Sequence, residues 1–224
     1  MPDNATRVIA IRHGETAWNA SSRLQGQQDI ALNATGRRQA LRVAESLAGE
    51  DIAALYASDL VRATQTADAI AARLGIAFAV DAGLRERGFG IFEGHTWADI
   101  ERLWPDEAHR WRQREPGFAV AGGETLADFY RRSVASASRL AARHPGRTIA
   151  LVAHGGVLDC LYRAATRQSL QAPRSWQLGN ASVNRLLFNG ESFTVVGWGD
   201  TQHLDAALDD NDEATASLAP RRVT

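Results

Sequence analysis

Residues 7–19 read Arg-Val-Ile-Ala-Ile-Arg-His-Gly-Glu-Thr-Ala-Trp-Asn, and this stretch decides the fold. Its short apolar run, residues 8–11, ends abruptly in Arg12, His13 and Gly14. Bounded apolar runs of this length are typical of buried strands, and the glycine lets the backbone turn close to a ligand. A cation and an imidazole therefore follow a strand out of the sheet, at the edge where open α/β sheets bind ligands.

The same pattern returns late in the chain. An apolar run over residues 148–153 leads into His154, Gly155 and Gly156. Two apolar strands that each end in His-Gly predict that the imidazoles of His13 and His154 converge on one pocket.

Length, charge and cysteine content narrow the class of protein. The chain has 224 residues, and no Pro- or Gly-rich linker divides it, so we expect one α/β domain over residues 1–208. A formal net charge of −1 gives no general attraction to nucleic acid or to an anionic membrane surface. The single cysteine, Cys160, excludes an internal disulfide. With no signal-peptide core and no segment of membrane-spanning length, we expect a cytoplasmic protein.

Helix and strand patterns alternate along the chain. Helices are predicted over residues 33–50, 60–74, 125–144 and 157–165, strands over 53–57 and 76–80, and a hairpin over 183–198. Thr35 is the expected cap of the first helix and Ser58 or Asp59 that of the second. Residues 209–224 offer little to bury and are expected to form a mobile tail.

Two segments between these elements are expected to line a site. Residues 84–94 are irregular, with three glycines among acids and arginines. Residues 95–120 predict a lid of short helices that carries an aromatic and basic patch. Residues 20–33 form a polar loop on which Gln25 and Gly26 could fold back over Arg12 and His13, as substrate-binding residues.

These residues could together hydrolyse a phosphomonoester without a metal. Arginine binds a phosphate dianion with two parallel hydrogen bonds, so Arg12 and Arg62 could hold it. A neutral imidazole can attack phosphorus, which makes His13 the candidate nucleophile. His154, with the Gly155 amide at a helix start, would be a second donor to the phosphoryl group. Glu86 could protonate the leaving alkoxide and later accept a proton from water.

The chain also resembles a known family. Arg12 to Thr16 with Asn19 is similar to the signature of the histidine phosphatase (phosphoglycerate-mutase-like) superfamily. The resemblance continues, in order, through residues 24–26, 58–67, 84–94, 122–125 and 152–155. It implies a three-layer α/β sandwich with a mostly parallel sheet, phosphorylation of His13, and proton donation by Glu86. It further implies a phosphate held by Arg12, Asn19, Arg62 and His154, and a reaction that needs no metal or other cofactor.

Departures from the family pattern favour a phosphatase over a mutase. Similar mutases follow the second His-Gly with Asn and carry paired arginines and a lysine in the insertion, whereas this chain has Gly156 and no lysine there. The tryptophans at 97, 104 and 111 favour a partly apolar leaving group. Arg87 is also unusual, and it could act on the acidity of Glu86 or simply point to solvent.

Other interpretations stay open. Each histidine could be an ordinary buried side chain, Glu86 could pair with Arg85 or Arg87, and Asn19 and Gln25 could only fix a loop. The predicted function is hydrolysis of a small phosphorylated metabolite; the alternatives are a cofactor-dependent phosphoglycerate mutase and a non-catalytic phospholigand-binding module. No nucleic-acid or membrane partner is predicted. The hairpin edge leaves a homodimer open.

Overall fold

The computed structural model describes residues 4–205. Its centre is a six-stranded sheet with strand order β3-β2-β4-β1-β5-β6. The strands are β1 Thr6–Arg12, β2 Ile52–Ala57, β3 Phe78–Val80, β4 Thr148–Ala153, β5 Val183–Phe188 and β6 Phe193–Asp200. Strands β1 to β4 run parallel, and the β5–β6 hairpin adds two antiparallel strands beside β1. The predicted α/β fold with a mostly parallel sheet is confirmed.

The register of β1 against β4 brings the two histidines to the same edge of the sheet. Arg12 lies opposite Ala153, the last residue of β4. His13 and His154 therefore leave the sheet side by side, and the His13 amide donates to the Ala153 carbonyl at 3.0 Å.

Helices cover both faces of the sheet. They are α1 Ala17–Ala20, α2 Ala34–Ser46, α3 Val61–Leu74, α4 Trp97–Leu103, α5 Pro105–Arg112, α6 Leu126–Ala141, α7 Gly155–Thr166 and α8 Gln202–Asp205. Alternate side chains of β1 face opposite layers, as the pleat of a strand requires. Val8 and Ala10 share a core with α6 and α7, whereas Ile9 and Ile11 share one with α2 and α3.

Two predicted helix caps are wrong, for different reasons. Asn33, not Thr35, caps α2, because its side chain accepts from the Gly36 amide at 2.7 Å. Neither Ser58 nor Asp59 caps α3. The amide of Val61 instead donates to the carboxylate of Asp29 at 2.6 Å, from the loop between α1 and α2. A cap supplied by a distant loop leaves no signal in the sequence next to the helix.

Residues 84–94 are irregular, as predicted, with one 3₁₀ turn ending at Leu84 and another at residues 90–92. Helices α4 and α5 follow as the expected insertion. They bury a separate cluster around Phe92, Ile100 and Phe118.

The predicted hairpin is confirmed, with β5 and β6 joined through Asn189 and Gly190. The tail predicted over residues 209–224 lies outside the described residues.

Candidate active site

A cavity of about 930 Å³ opens where β1 and β4 end. It brings together eight of the nine site residues predicted from the sequence; these are Arg12, His13, Asn19, Gln25, Gly26, Arg62, Glu86 and Gly155. The ninth, His154, is fully buried with its ring centre 5.2 Å from that of His13. The two imidazoles lie side by side, as expected, but His154 is not among the residues that line the cavity.

His13 is held in one tautomer by its own turn. Its Nδ1 atom lies 2.7 Å from the Gly14 carbonyl oxygen. Because a carbonyl only accepts, Nδ1 carries the proton and Nε2 of the neutral ring keeps a free electron pair. Burial, followed by the positive charges of Arg62 and Arg12, holds the pKa of His13 well below its usual value. The ring is therefore neutral and nucleophilic at neutral pH.

His154 occupies the position that precedes α7, and neither of its ring nitrogens has a hydrogen-bond partner among the described residues. Burial, followed by the charges of Arg62, His13 and Arg12, holds its pKa well below the usual value. A buried polar group without a partner is destabilising by about 1–3 kcal/mol. An anion beside the ring would give its N–H a partner.

Arg12 and Arg62 are fixed by backbone carbonyls and keep unused donors. Arg62 donates from Nη1 and Nη2 to the carbonyls of Gln28 and Gly26, at 2.8 and 2.7 Å. Arg12 donates from Nη1 to the Leu178 carbonyl. Neither Nε atom has a partner in the part of the chain that the structure describes. Two cations fixed in this way are preorganised to bind an anion.

Both arginines remain cationic at neutral pH. Burial lowers the pKa of Arg62 to about 10, against the raising effect of the Glu86 charge. Burial lowers the pKa of Arg12 in the same way.

The loop that precedes α2 closes over this group. Gln25 is buried on the cavity wall, and its Oε1 has no partner among the described residues. Gly26 has φ +54°, and a Cβ there would lie 2.0 Å from Oε1 of Glu93. Glycine therefore leaves room for the Glu93 carboxyl group, while the Gly26 carbonyl accepts from Arg62.

Asn19 holds the turn after β1 and also reaches the cavity. Its Oδ1 accepts from the Thr16 amide at 3.1 Å and from Nδ2 of Asn180 at 3.2 Å. Its NH₂ group has no hydrogen bond to another described residue. Asn19 thus fixes the loop, as the plain interpretation expected, and keeps a donor at the cavity wall.

Glu86 enters the cavity from the irregular segment and is held by two backbone amides. Its Oε1 accepts from the amide of Arg87 at 2.9 Å and its Oε2 from that of Gly156 at 3.0 Å. A Cβ at position 156 would lie 2.1 Å from Oε1. Gly156 therefore makes room for the carboxyl group. The suggested pairing of Glu86 with Arg85 is wrong, since Arg85 binds Asp59 at 2.6 Å.

Arg87 does not point to solvent, which was one of the two expectations for it. It is buried and donates to the carbonyls of Glu124 and Phe118, at 2.9 and 3.0 Å. Its guanidinium lies 3.9 Å from the centre of the Trp111 ring. Burial lowers its pKa to about 10. Arg87 thus ties the insertion to the rest of the site.

Of the three insertion tryptophans, only Trp111 lines the cavity. Trp104 packs against Phe92 and His95, and Trp97 belongs to the same buried cluster of the insertion. Of the three tryptophans expected to contact the leaving group, only Trp111 is therefore placed to do so. Trp97 and Trp104 instead pack inside the insertion.

Of the insertion arginines at positions 110, 112 and 114, only one lines the cavity. Arg110 pairs with Glu115 at 2.8 Å and Arg112 pairs with Glu101, and neither arginine lines the cavity. Arg114 does line it.

Sequence reasoning missed three polar or aromatic residues that line the cavity, namely Asp159, Arg174 and Trp176. Asp159 had a usable signal, because it stands three and four residues after the glycines at 156 and 155 and so shares their helix face. Arg174 and Trp176 lie on the connection between α7 and β5, which shows no periodicity.

Within residues 4–205, no group of three or more His, Cys, Asp or Glu side chains is arranged to hold a metal ion. Across the same residues, every helix is too short or too polar to cross a membrane.

Comparisons with known proteins agree with this geometry. The family model of the histidine phosphatase superfamily (branch 1) matches residues 8–201. The chain is 37% identical over 202 residues to phosphoglycerate mutase-like protein 4 of Arabidopsis thaliana, which covers 88% of this chain and 86% of the relative.

Two solved structures share the fold over nearly their whole length. Bacillus stearothermophilus YhfR superposes with a TM-score of 0.83 at 33% identity, covering 89% of this chain and 100% of its own. A mycobacterial glucosyl-3-phosphoglycerate phosphatase, solved with VO₃, superposes with a TM-score of 0.78 at 34% identity, covering 87% of this chain and 99% of its own.

Proposed function

The chain belongs to the histidine phosphatase superfamily, and on that premise we propose that it is a metal-independent phosphomonoester hydrolase that works through a phosphohistidine. The observation that carries the proposal is the state of His13. Its Nδ1–H is held by the Gly14 carbonyl, which leaves Nε2 as a nucleophile beside the buried Arg62 and the partly buried Arg12, whose Nε donors have no partner among the described residues. Positive charge that a metal ion could supply in other hydrolases is supplied here by guanidinium groups.

The first half of the reaction follows from this arrangement. Arg12, Arg62 and His154 bind the phosphoryl oxygens, and Nε2 of His13 attacks phosphorus as the P–O bond to the leaving group breaks. Glu86, in its protonated form, gives its proton to the departing oxygen, so that an alcohol leaves.

The second half returns the enzyme to its starting state. Glu86, now a carboxylate, takes a proton from water while the water oxygen attacks phosphorus. The P–N bond to His13 breaks, its electron pair returns to Nε2, and inorganic phosphate leaves. The two backbone amides that hold Glu86 keep one carboxyl group in position for both steps.

A phosphoglycerate mutase is the second candidate, because several curated relatives carry mutase names. A mutase must hold a second anionic group of a bisphosphate, which needs cations that are free to bind it. Two of the three insertion arginines, Arg110 and Arg112, are paired with glutamates outside the cavity. That pairing, with a phosphatase among the solved relatives, favours hydrolysis. Arg174 lines the cavity without an acidic partner among the described residues, so the pairing applies to the insertion arginines alone.

The test is release of phosphate from a panel of phosphomonoesters, with and without excess chelator. We expect release that resists the chelator and disappears in His13→Ala. Release abolished by the chelator in the wild type would overturn metal independence. A folded protein that releases no phosphate, but interconverts phosphoglycerates when primed with a bisphosphate, would be a mutase. A protein that binds phosphate esters and does neither would be a binding module.

Glu86→Gln tests the proton donor separately. Nitrophenolate leaves without protonation, so the variant should slow alkyl phosphates far more than p-nitrophenyl phosphate. Equal losses on both would mean that Glu86 has only a structural role.

A further inference from the structure

The cavity wall contains a polar group that the proposed reaction does not use. The cavity, at about 930 Å³, is of a size that holds a whole small-molecule ligand rather than a phosphate alone. Trp111, Arg114, Asp159 and Trp176 form a part of its wall, called the far end here, that makes no hydrogen bond to Arg12, His13 or Arg62 among the described residues.

Asp159 has one committed oxygen and one without a partner. Its Oδ2 accepts from Nη2 of Arg114 at 3.0 Å and from Nε of Arg163 at 2.9 Å. Its Oδ1 is buried from solvent and has no hydrogen-bond partner among the described residues. The residue is only 6% exposed. A buried carboxylate oxygen normally has a partner, so its donor should arrive with a ligand.

The charges around Asp159 select the kind of donor. Two guanidinium groups already neutralise the carboxylate, and Arg174 adds a third positive charge nearby. Burial, followed by the charges of Arg163 and Arg174, lowers the pKa of Arg114 against the opposing effect of Asp159. Arg174 itself has no acidic partner in the described part of the chain. An ammonium group would be repelled here, and a carboxylate cannot donate to Oδ1. An alcohol hydroxyl satisfies both conditions.

Helix α7 sets the distance between His154, beside the expected phosphate, and Asp159. Asp159 stands five residues after His154, which corresponds to about 7.5 Å along a helix axis. A chain of about four carbons between the phosphate ester and a hydroxyl spans this distance.

We propose that Asp159 Oδ1 accepts a hydrogen bond from a hydroxyl of the leaving group, so that the substrate is a phosphorylated polyol or sugar. This inference rests on the proposed hydrolase function, because it assigns the far end of the same cavity to the leaving group. Trp111 and Trp176 contribute the apolar surface on which the carbon chain of such a group lies.

The test compares three esters of nearly equal shape, namely 4-hydroxybutyl, pentyl and 4-aminobutyl phosphate. We expect kcat/KM of the wild type to be at least about tenfold higher for the hydroxyl ester than for the other two. The methyl-terminated ester is the more apolar, so a preference for the hydroxyl cannot come from burial of carbon. A wild type that treats the hydroxyl and methyl esters alike would overturn the proposal.

Two variants then assign the preference to Asp159. Asp159→Ala removes the acceptor and should bring the hydroxyl-to-methyl ratio to about one. Asp159→Asn keeps an oxygen for Arg114 and Arg163, so it protects the fold, and should lower the ratio by a smaller factor. Asp68→Ala makes the same change on the exposed side of α3 and should leave the ratio unchanged. Hydrolysis of p-nitrophenyl phosphate by each variant checks that the phosphate site is intact. A ratio that survives in folded Asp159→Ala would overturn the assignment.

A carboxylate-terminated ester, 5-(phosphonooxy)pentanoate, tests the competing occupant. If the wild type prefers it and Arg174→Gln removes that preference, the far end is an anion site and the hydroxyl proposal is wrong.

Calorimetry separates failure of this proposal from failure of the hydrolase function. His13→Ala leaves intact esters to be titrated. If the wild type hydrolyses nothing, tighter binding of 4-hydroxybutyl than of pentyl phosphate, lost with Asp159→Ala added, would still support the subsite. Equal binding of the two esters would overturn it.

Discussion

The two strand–His–Gly units of this protein have the same local sequence pattern and different chemistry. His13 follows β1 and has its Nδ1 tied to the neighbouring Gly14 carbonyl at 2.7 Å. His154 follows β4, is equally buried, and has no partner on either nitrogen within residues 4–205. The first ring therefore has a fixed tautomer, whereas the second is free to orient its proton toward a ligand.

The difference teaches that the hydrogen bond on one ring nitrogen decides what the other can do. A fixed Nδ1–H leaves a nucleophile at Nε2. His154 lies near the same arginine charges, but its ring nitrogens have no partner among the described residues. Its N–H can therefore donate to a phosphoryl oxygen. The two histidines should consequently fail in different ways when they are removed.

The largest expected effect is that of His13→Ala. Loss of the nucleophile should lower kcat for phosphate release by at least about 1,000-fold, with no phosphorylated protein formed. Thermal melting checks that the fold is kept, and labelling from a radioactive ester checks for the phosphoenzyme. Wild-type turnover in a folded variant would remove His13 from the mechanism.

His154→Ala should have a smaller and different effect. Loss of one donor to the developing charge should lower kcat by about 100-fold to 1,000-fold, since such a donor acts mainly in the transition state. The variant should still label on His13, slowly, in a rapid-quench experiment. Complete absence of labelling in a folded variant would mean that His154 is needed for more than charge stabilisation.

The pH dependence of the free energy of unfolding should report the protonation of both histidines. Each histidine has a lowered pKa when folded, so below about pH 6.5 the unfolded chain binds protons that the folded chain excludes. The free energy of unfolding should therefore be constant above this pH. It should fall below it by up to about 1.4 kcal/mol per pH unit for each histidine.

The measurement is urea unfolding between pH 7.5 and 5.5, for the wild type and both alanine variants. Each variant should show a smaller slope than the wild type; the remaining slope comes from the other histidine and from His203, whose pKa burial also lowers. An unchanged slope would mean that the removed histidine is not the neutral buried group described above.

The smallest expected effect concerns the glycines that follow the histidines. At Gly14 a Cβ would lie 2.4 Å from the backbone of Gly36, whereas at Gly156 it would lie 2.1 Å from the Glu86 carboxyl. Gly156→Ala should displace that carboxyl and lower kcat/KM about tenfold for alkyl phosphates, with less effect on p-nitrophenyl phosphate. Gly49→Ala, where a Cβ meets nothing within 4 Å, is the matched control. Equal losses on both esters would point to a general disturbance of the site.

Much of the fold could be predicted because its signals are local. The apolar runs before His13 and His154, the helix over residues 61–74 ended by Gly75, and the hairpin at Asn189 and Gly190 each depend on neighbouring residues. Hydrophobic period and turn chemistry act over a few residues, so the sequence alone contains them.

Part of the candidate site could be predicted for a similar reason. Parallel strands that end in His-Gly must present those side chains at one edge of the sheet, whatever the loops do. The same sequence could not place Arg87 or Trp104, because their surroundings come from the packing of the insertion.

The sequence by itself determined which chemical groups the protein possesses and that two histidines share one edge of a parallel sheet. Only the tertiary structure decided how those groups are used. Asp29 caps a helix from a remote loop, Gly156 makes room for Glu86, and Asp159 faces a cavity with one oxygen unpaired. Each of these depends on contacts between segments 30 or more residues apart, or on a partner that is missing from the local chain. Burial and charge at such contacts give two similar motifs different surroundings, and the proposed mechanism assigns them the roles of nucleophile and donor.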